Sequence, residues 1–395
     1  MRSHQCVILV GGLGTRLGPL TEDCPKPLLP VAGKPFLYYL IWNARRFGFD
    51  DFVLLAGYKG EMVRQFANEI AVSLSCQIHV VVEDSPQGTG GALRQAEHLL
   101  DDDFLLMNGD SFFDFNLLDL ESGMEESPFL ARIALRQVEN AFRFGVVTLV
   151  EGRVSGFSER PPQSGPGLVN GGVYALSRKI LEHIPAESCS LEREVFPGLA
   201  ERGCLAGKAY EGFFLDIGIP EDFARAQQVI PDAMRRPAVF FDRDGVLNHD
   251  AGYTHRIEDF RWVDGAREAI RLLNDRGWYV FVVTNQAGVA RGYYDEADVQ
   301  RLHRWMNEDL ASIGAHIDDF RYCPHHVDGS RSNYSIRCGC RKPAPGMILD
   351  LIKKWPVQIG DSFLLGDKQS DLNAAQAAGI RGVLYRGGNV RSLLG

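Results

Sequence analysis

Well past the midpoint of this 395-residue chain, the apolar run Ala238 to Phe241 meets Asp242 and Asp244, two residues apart, and then a Gly-containing turn in the stretch FFDRDGVLN, Phe240 to Asn248. A buried strand followed by such a turn delivers both carboxylates to its carboxyl end, where open α/β sheets bind their ligands. One carboxylate can attack a phosphorus atom while its neighbour handles the proton, and a hard cation such as Mg²⁺ can bridge them to a phosphate. An isolated pair of this kind is more often a solvated turn. Here the residues downstream continue the same chemistry, and everything before the stretch must be accounted for separately.

Downstream, Val280 to Val283 reads as a second buried strand ending in Thr284, Asn285 and Gln286, followed by AGVARGYY. Arg341-Lys342-Pro343 brings two cations together, and Phe363 to Leu365 is a strand ending in Gly366, Asp367 and Lys368, with Asp371 beyond. Between them, Cys323-Pro324-His325 and Cys338-Gly339-Cys340 bracket a polar loop. Three thiolates and an imidazole suit a tetrahedral Zn²⁺ site of structural type, with no open position for substrate. Such a site would fix the loop that carries Arg341 and Lys342.

The order of Asp pair, Thr, Lys and Asp at successive strand ends resembles the haloacid-dehalogenase-type phosphatases at all four of their motifs. The resemblance implies Asp242 and Asp244 as catalytic residues, and Thr284 and Asn285 as phosphate ligands. It implies Arg341 and Lys342 as the cations that neutralise a phosphoaspartate, with Asp242, Asp244 and Asp367 holding Mg²⁺. The Cys-X-His and Cys-X-Cys pairs, with RDGVLN, GYTHRIEDF, NQAGVARGYY and CRKPAPGM, resemble the heptose-1,7-bisphosphate 7-phosphatases over residues 237 to 390. The pattern of that family favours His325 over His326 as the fourth zinc ligand. Histidinol-phosphate phosphatases share the zinc loop and stand as the alternative, with a shorter segment between their ligand pairs.

The first part of the chain opens on a short buried strand, Gln5 to Val10, and the loop GGLGTRLG from Gly11 to Gly18, leading to Pro25, Lys26 and Pro27. Glycines let backbone N–H groups crowd a phosphate. Leu17 stands where a dinucleotide fingerprint needs its third glycine, and Gly33-Lys34 is followed by Pro35, so neither that fingerprint nor the P-loop fits. Strand-like runs at Phe52 to Ala56, Ile78 to Val82 and Phe104 to Met107 alternate with helical segments such as Glu61 to Ala71, which indicates a parallel doubly wound sheet.

GGLGTRL followed by PKPLLPVAGKP resembles the signature of sugar-1-phosphate nucleotidyltransferases, a likeness that covers residues 5 to 230. It implies that Gly11, Gly12, Gly14 and Thr15 cradle the nucleotide while Arg16 and Lys26 act as catalytic cations on the triphosphate. Asp110, after the third run, and Asp216, in FLDIGIPEDF, resemble the family's Mg²⁺ ligands. Phe144-Gly145, FSERP and NGGVY match its sugar-binding elements in order, pointing to Gly145, Glu159, Arg160 and Asn170. Relatives usually carry lysine where Arg160 stands, and often a basic residue where Gly18 stands. Glu83 and Gly88 lie in EDSPQGTGGA, which resembles the base-binding turn. Guanine offers two adjacent donors, N1–H and the N2 amino group, and a carboxylate offers two acceptors, so Glu83 points to GTP.

The expected architecture is α/β with two doubly wound parallel-sheet domains. Residues 1–230 form a Rossmann-like nucleotidyltransferase and residues 237–395 a haloacid-dehalogenase-type phosphatase with a zinc loop. Glu221 to Ile230 reads as a helix, and the polar, proline-bounded Pro231 to Pro237 as the linker. Cys6, Cys24, Cys76, Cys189 and Cys204 have no metal-ligand spacing and read as small buried residues. A net charge of -9 speaks against a nucleic-acid partner. The longest apolar runs fall short of a membrane span, and four apolar residues before Gly11 are too few for a signal peptide, so the expected location is the cytoplasm.

The reading of the whole is a bifunctional enzyme of nucleotide-heptose biosynthesis, with Mg²⁺ in both active sites and a structural Zn²⁺. It would act on small molecules: a heptose bisphosphate, heptose 1-phosphate and GTP. Self-association is left open. Two other classes of reading stand beside it: a nucleotide-sensing first domain that regulates the phosphatase, and an assembly scaffold.

Overall fold

The computed structural model describes residues 4–122, 124, 128–142, 145–158 and 165–395. The chain divides into two compact units, the first ending at Asp232 and the second spanning Ala233–Gly395.

In the first unit the strands are β1 (Gln5–Leu9), β2 (Pro30–Val31), β3 (Lys34–Pro35), β4 (Asp51–Ala56), β5 (Gln77–Val82), β6 (Asp103–Asn108) and β7 (Ser111–Phe113). They continue as β8 (Ala131–Val138), β9 (Val146–Val150), β10 (Arg153–Ser158), β11 (Gly167–Ser177), β12 (Leu205–Tyr210) and β13 (Phe214–Asp216). Nine of them form one sheet in the order β5-β4-β1-β6-β11-β8-β12-β10-β9. The β5-β4-β1-β6 part is parallel. Beyond it β11 runs antiparallel to β6, and the sheet becomes mixed. Helices Phe36–Arg46 and Gly60–Leu74 connect the first three parallel strands, as the alternation of apolar runs predicts. One face packs Val7, Val53, Leu106 and Leu135 against Phe196 and Leu199. A Leu or Phe buried in this way contributes about 1.5–3 kcal/mol.

The chain order of β5-β4-β1-β6 places the third, second, first and fourth strands side by side, so the direction of winding reverses between β1 and β6. A crevice opens at the carboxyl ends of strands where that reversal occurs. The glycine-rich loop follows β1 and Asp110 follows β6, so both lie at that place.

The second unit holds β14 (Ala238–Phe241), β15 (Tyr279–Asn285), β16 (Asp319–Cys323), β17 (Phe363–Gly366) and β18 (Arg381–Leu384) in an all-parallel sheet of order β16-β15-β14-β17-β18. Central strand β14 is buried along its length: Val239 and Phe241 face the core with Val282, Ile270 and Leu302, while the Phe240 ring meets Phe281 at 5.2 Å. Both faces are covered, which explains the unbroken apolar run in the sequence. Winding reverses between β14 and β17, and Asp242 and Asp367 follow those two strands. Asp242 N–H donates to Leu365 O at 2.9 Å, fixing the register of the two ends.

Two expectations need correction. The helix expected to stop at Ile230 spans Pro220–Met234 with Pro231 inside it, because a proline removes one helical N–H without forbidding helical φ. Cys24, Cys76 and Cys204 are only half-buried, whereas Cys6 and Cys189 are buried. No helix among the described residues is long and apolar enough to cross a membrane.

Candidate active sites and metal centre

In the first unit a cavity of about 780 Å³ is lined by Gly11, Gly12, Gly14, Thr15, Arg16 and Lys26. Glu83, Gly88 and Asp110 line it as well. The short antiparallel pair β7–β13 sets Ser111 opposite Asp216, and Ile217 N–H donates to Asp110 O at 3.0 Å. Ser111 Oγ is 3.2 Å from an oxygen of each of Asp110 and Asp216, so the two carboxylates face one hydroxyl. Buried Lys26 reaches Asp110 at 2.6 Å. A Cβ on Gly218 would lie 2.5 Å from Asp216 Oδ1 and 3.0 Å from Arg16 Nη2, which puts the Arg16 guanidinium beside Asp216 across that glycine. Burial, then the charge of Asp110, raises the Asp216 carboxyl; Lys26 and the Gly218 N–H oppose the rise. Two carboxylates in that position could hold a divalent cation, which would remove their repulsion.

Glu83 follows β5, and its backbone N–H donates to Ala56 O at 2.8 Å. Its carboxyl is raised by burial, and the Gln87 N–H opposes this. Gly88 begins the helix Gly88–Gln95 at φ +73°, where a Cβ would meet Cys189 O at 2.3 Å. Only glycine fits that approach.

Asn170 connects to the cavity wall through other residues. Its Nδ2 donates to Tyr174 Oη at 2.8 Å and its Oδ1 accepts from Gly172 N–H at 3.0 Å. Tyr174 OH donates to Glu192 at 3.3 Å, and Glu192, on the cavity wall, accepts from Thr89 at 2.8 Å. Sequence reasoning assigned no role to Tyr174, Glu192 or Thr89; the nearest signal was the position of Tyr174 at the end of NGGVY. Gly145 is the backbone partner of Asn170, whose N–H donates to Gly145 O at 3.2 Å. Glu159 and Arg160 lie outside the described residues.

In the second unit Asp242 is 6% exposed, and Lys342, 4% exposed, reaches it and Asp371 at 2.7 Å each. Burial pushes the Asp242 carboxyl up to about 6, with Lys342 opposing and Asp371 reinforcing. Burial works against the Lys342 ammonium, but Asp242 and Asp371 outweigh it and raise its value. Single carboxylate oxygens of Asp242, Asp367 and Asp371 lie within 4.8 Å of one another. Asp367 Oδ1 is buried without a hydrogen-bond partner among the described residues, an acceptor that a cation could use.

Asp244 differs from its expected place among the metal-binding side chains. Its carboxylate accepts from fully buried Arg243, whose Nη2 is 3.0 Å from both oxygens, from Asn248 Nδ2 at 3.1 Å and from Gln286 Nε2 at 2.9 Å. Asp371, read in the sequence only as following Asp367, takes the place in the carboxylate group instead. Its spacing from Asp367 was the available signal. Thr284, 1% exposed, accepts from Gln286 at 2.9 Å. Asn285 and the Lys342 backbone exchange two hydrogen bonds of 3.1 Å, so Asn285 orients the lysine segment. Arg341 donates to His325 O at 3.1 Å, tying the cation segment to the cysteine loop.

In that loop the Sγ atoms of Cys323, Cys338 and Cys340 are 3.3–3.5 Å apart, and His325 Nδ1 is 3.5 Å from Cys340 Sγ and 3.7 Å from Cys323 Sγ. A tetrahedral ion with metal–sulfur bonds of about 2.3 Å spaces its ligands about 3.8 Å apart; the four atoms, all within 4.8 Å of one another, need move outward by only a few tenths of an ångström to hold one ion. His326 Nδ1 instead accepts from Asp328 N–H in its own loop. Burial pushes the Cys323 and Cys340 thiols up, a cost that a cation reverses when thiolates bind it.

Residues 5–233 match the nucleotidyl transferase family and residues 339–393 the HAD-hydrolase-like family. The chain is 54% identical over 158 residues to the D-glycero-beta-D-manno-heptose-1,7-bisphosphate 7-phosphatase of Rhodopseudomonas palustris, covering 40% of this chain and 88% of that protein. It is 45% identical over 141 residues to the D-glycero-alpha-D-manno-heptose-1,7-bisphosphate 7-phosphatase of Photorhabdus laumondii, covering 36% and 77%. HddC from Yersinia pseudotuberculosis, solved in complex with GMP-PN, superposes with a TM-score of 0.51 at 30% identity over 57% of this chain and 99% of that one. The chain thus belongs to the nucleotidyl transferase family through residues 5–233, and joins to it a member of the heptose-1,7-bisphosphate 7-phosphatase family of HAD-like hydrolases.

Proposed function

We propose that the chain makes a nucleotide-activated heptose in two steps. The second unit removes the 7-phosphate of D-glycero-D-manno-heptose 1,7-bisphosphate. The first unit then joins GMP from GTP to the remaining anomeric phosphate, giving GDP-heptose and pyrophosphate. The observation that carries this reading is the pair of charged constellations, Lys26–Asp110–Asp216 and Lys342–Asp242–Asp371, each at the point of its own sheet where winding reverses. Relatives whose names specify heptose bisphosphate, and the HddC structure with its guanine-nucleotide analogue, support the choice of substrates.

In the phosphatase step an Asp242 oxygen attacks phosphorus and the bond to the sugar oxygen breaks. The leaving oxygen takes a proton by way of Asp244, which Arg243, Asn248 and Gln286 hold in one orientation. Water then attacks the phosphoaspartate, releasing phosphate and restoring Asp242. Thr284 holds a phosphoryl oxygen, with Lys342 and Arg341 balancing its charge. In the transfer step an oxygen of the sugar phosphate attacks the α-phosphorus of GTP and pyrophosphate departs, with Lys26 and Arg16 balancing the developing charge. Asp242, Asp367 and Asp371 would hold Mg²⁺ in one site and Asp110 and Asp216 in the other, where the ion supplies charge neutralisation at phosphate oxygens. Zn²⁺ on Cys323, His325, Cys338 and Cys340 would fix the segment carrying Arg341 and Lys342.

Glu83, on the cavity wall, would accept from guanine N1–H and N2–H. Those donors stabilise the ionised carboxylate against the burial that opposes it. The two sites should be separable. Asp242→Asn is expected to abolish phosphate release and spare transfer to preformed heptose 1-phosphate, and Asp110→Asn to do the reverse. Either substitution silencing both activities in a folded protein would overturn the two-site reading.

A further inference from the structure

Arg243 grips the Asp244 carboxylate, and the side chain that grips Arg243 in turn has no part in the reaction above. The guanidinium is fully buried. Its Nε and Nη2 face Asp244 at 3.0–3.2 Å, and Nη2 also donates to Thr254 O at 2.7 Å. Nη1 turns the other way and finds its one hydrogen-bond partner among the described residues in His303 Nε2, at 3.4 Å. His303 lies on the helix Glu296–Ala311 between buried Val299 and Met306, on the stripe that faces the core. It is 5% exposed, and its ring stacks on Phe320 at 4.4 Å with the two planes 16° apart.

The partner fixes the state of the imidazole. A guanidinium has only N–H donors and no acceptor, so Arg243 donates and His303 Nε2 accepts. His303 is therefore neutral, with its proton on Nδ1. Burial, then the Arg243 charge, pushes its value well below the ordinary histidine range, in keeping with that state. A neutral acceptor suits this place better than the alternatives. An apolar side chain would leave a guanidinium N–H buried and unpaired, at the full cost of its desolvation. A carboxylate would satisfy the N–H but compete with Asp244 for the guanidinium charge.

We propose that His303 is a positioning residue for proton transfer: by accepting from Nη1 it sets the plane of the Arg243 guanidinium, which in turn sets the Asp244 carboxylate that passes a proton to the leaving sugar oxygen. Thr254 O anchors one terminal nitrogen and His303 the other. With Thr254 alone the group would be free to tilt about that bond. Two of the four nitrogens bonded to Asp244 belong to Arg243, the others to Asn248 and Gln286, so a tilt shifts the carboxylate itself. A displacement on the order of 1 Å at a reacting group costs about a hundredfold in rate. His303 does this without touching the substrate or the reacting atoms.

The inference rests on the reading of Asp244 as proton donor given above, and one set of variants separates the two. In the full-length protein kcat/KM is measured on heptose 1,7-bisphosphate, whose sugar oxygen needs a proton to leave, and on 4-nitrophenyl phosphate, whose nitrophenolate leaves without one. The ratio of the two values cancels the fraction folded, and hydrolysis of the phosphoaspartate, which follows departure of the leaving group, does not enter it. His303→Phe keeps a ring on Phe320 and removes the acceptor. Its ratio is expected to fall about ten- to a hundredfold, the range of a hydrogen bond to a charged group, with the loss on the bisphosphate in kcat and KM within about twofold. His303→Gln restores an acceptor near the place of Nε2 and should return the ratio to within about threefold of wild type. His303→Asn, one methylene shorter, should behave as the Phe variant and takes its place if the unpaired guanidinium prevents folding. A ratio unchanged in the Phe and Asn variants, or lowered as much in His303→Gln, overturns the role of His303. Asp244→Asn tests the reading beneath it: if both substrates lose equally, Asp244 is not the proton donor, and the inference falls with it.

Discussion

Lys342 is the residue whose removal has the most calculable consequence. Its ammonium lies 2.7 Å from both Asp242 and Asp371, with all three side chains nearly inaccessible. At that distance, and an effective dielectric constant near 20, each pair is worth about 6 kcal/mol before desolvation. Removing one member of a buried pair typically costs about 3–5 kcal/mol, because the partner charge is left uncompensated. Lys342→Met should therefore destabilise the second unit by about 4 kcal/mol at pH 8. The protein has one way to relieve this, which is to place a proton where the ammonium stood. With Lys342 present the Asp242 carboxyl is already pushed up to about 6, and Lys342 is the influence that holds it down, so in the variant it rises further. A carboxyl raised in the folded state binds its proton more tightly there than in the unfolded chain, so stability is gained as pH falls through the folded value. The variant takes up that proton above pH 6, where wild type is still ionised, and the deficit should shrink by up to about 1.4 kcal/mol per pH unit between pH 8 and 6. Urea unfolding in Mg²⁺-free buffer, followed by tryptophan fluorescence, measures it. Four of the five tryptophans, Trp262, Trp278, Trp305 and Trp355, belong to the second unit. A loss below about 1 kcal/mol at pH 8, or one that does not vary with pH, would show that Lys342 does not balance the buried Asp242 and Asp371 charges in this way.

Two further outcomes are expected. Cys338→Ser should lower bound zinc, melting temperature and phosphatase rate together, since site affinity is folding free energy and the loop carries Arg341 and Lys342; a zinc-free variant with wild-type melting and rate would remove the structural role. Glu83→Gln should reduce the preference for GTP over ATP, UTP and dTTP by about ten- to a hundredfold in kcat/KM, the worth of a bidentate base contact by analogy with nucleic-acid readout, and an undiminished preference would dismiss Glu83 as the reader of the base.

Most of what could be read in the sequence is chemistry that tolerates few residue types. Asp242, Thr284 and Asp367 stand at strand ends because phosphate and cation need fixed charges there, and the apolar runs before them identify the strands; Lys342 lies in the turn before the helix Gly346–Lys354 and was legible from the Arg-Lys-Pro run beside the cysteine pair. Cys323, His325, Cys338 and Cys340 could be found because metal ligands pair at short spacing. Less legible were contacts made by tertiary packing. Arg243, between the two aspartates, was given no role in the sequence; in the structure it is fully buried and, with Asn248 and Gln286, holds the Asp244 carboxylate. The strands from Ala131 to Tyr210 extend the first sheet with mixed directions, and no alternation of helix and strand announces antiparallel neighbours. Asn170 was expected to read sugar hydroxyls from its motif; its amide is bonded to Gly172 and Tyr174 of its own strand, at the irregularity where the register of β11 against β8 shifts, and the sequence does not announce that irregularity.

One chain is proposed to perform both conversions. The direct test incubates the purified full-length protein with GTP, Mg²⁺ and either anomer of D-glycero-D-manno-heptose 1,7-bisphosphate, and identifies the products by mass spectrometry. Inorganic phosphate, pyrophosphate and GDP-heptose are expected from one anomer, with heptose 1-phosphate as the intermediate that accumulates when GTP is withheld. Phosphate release without any nucleotide-sugar from either anomer, or no release of the 7-phosphate, would contradict it.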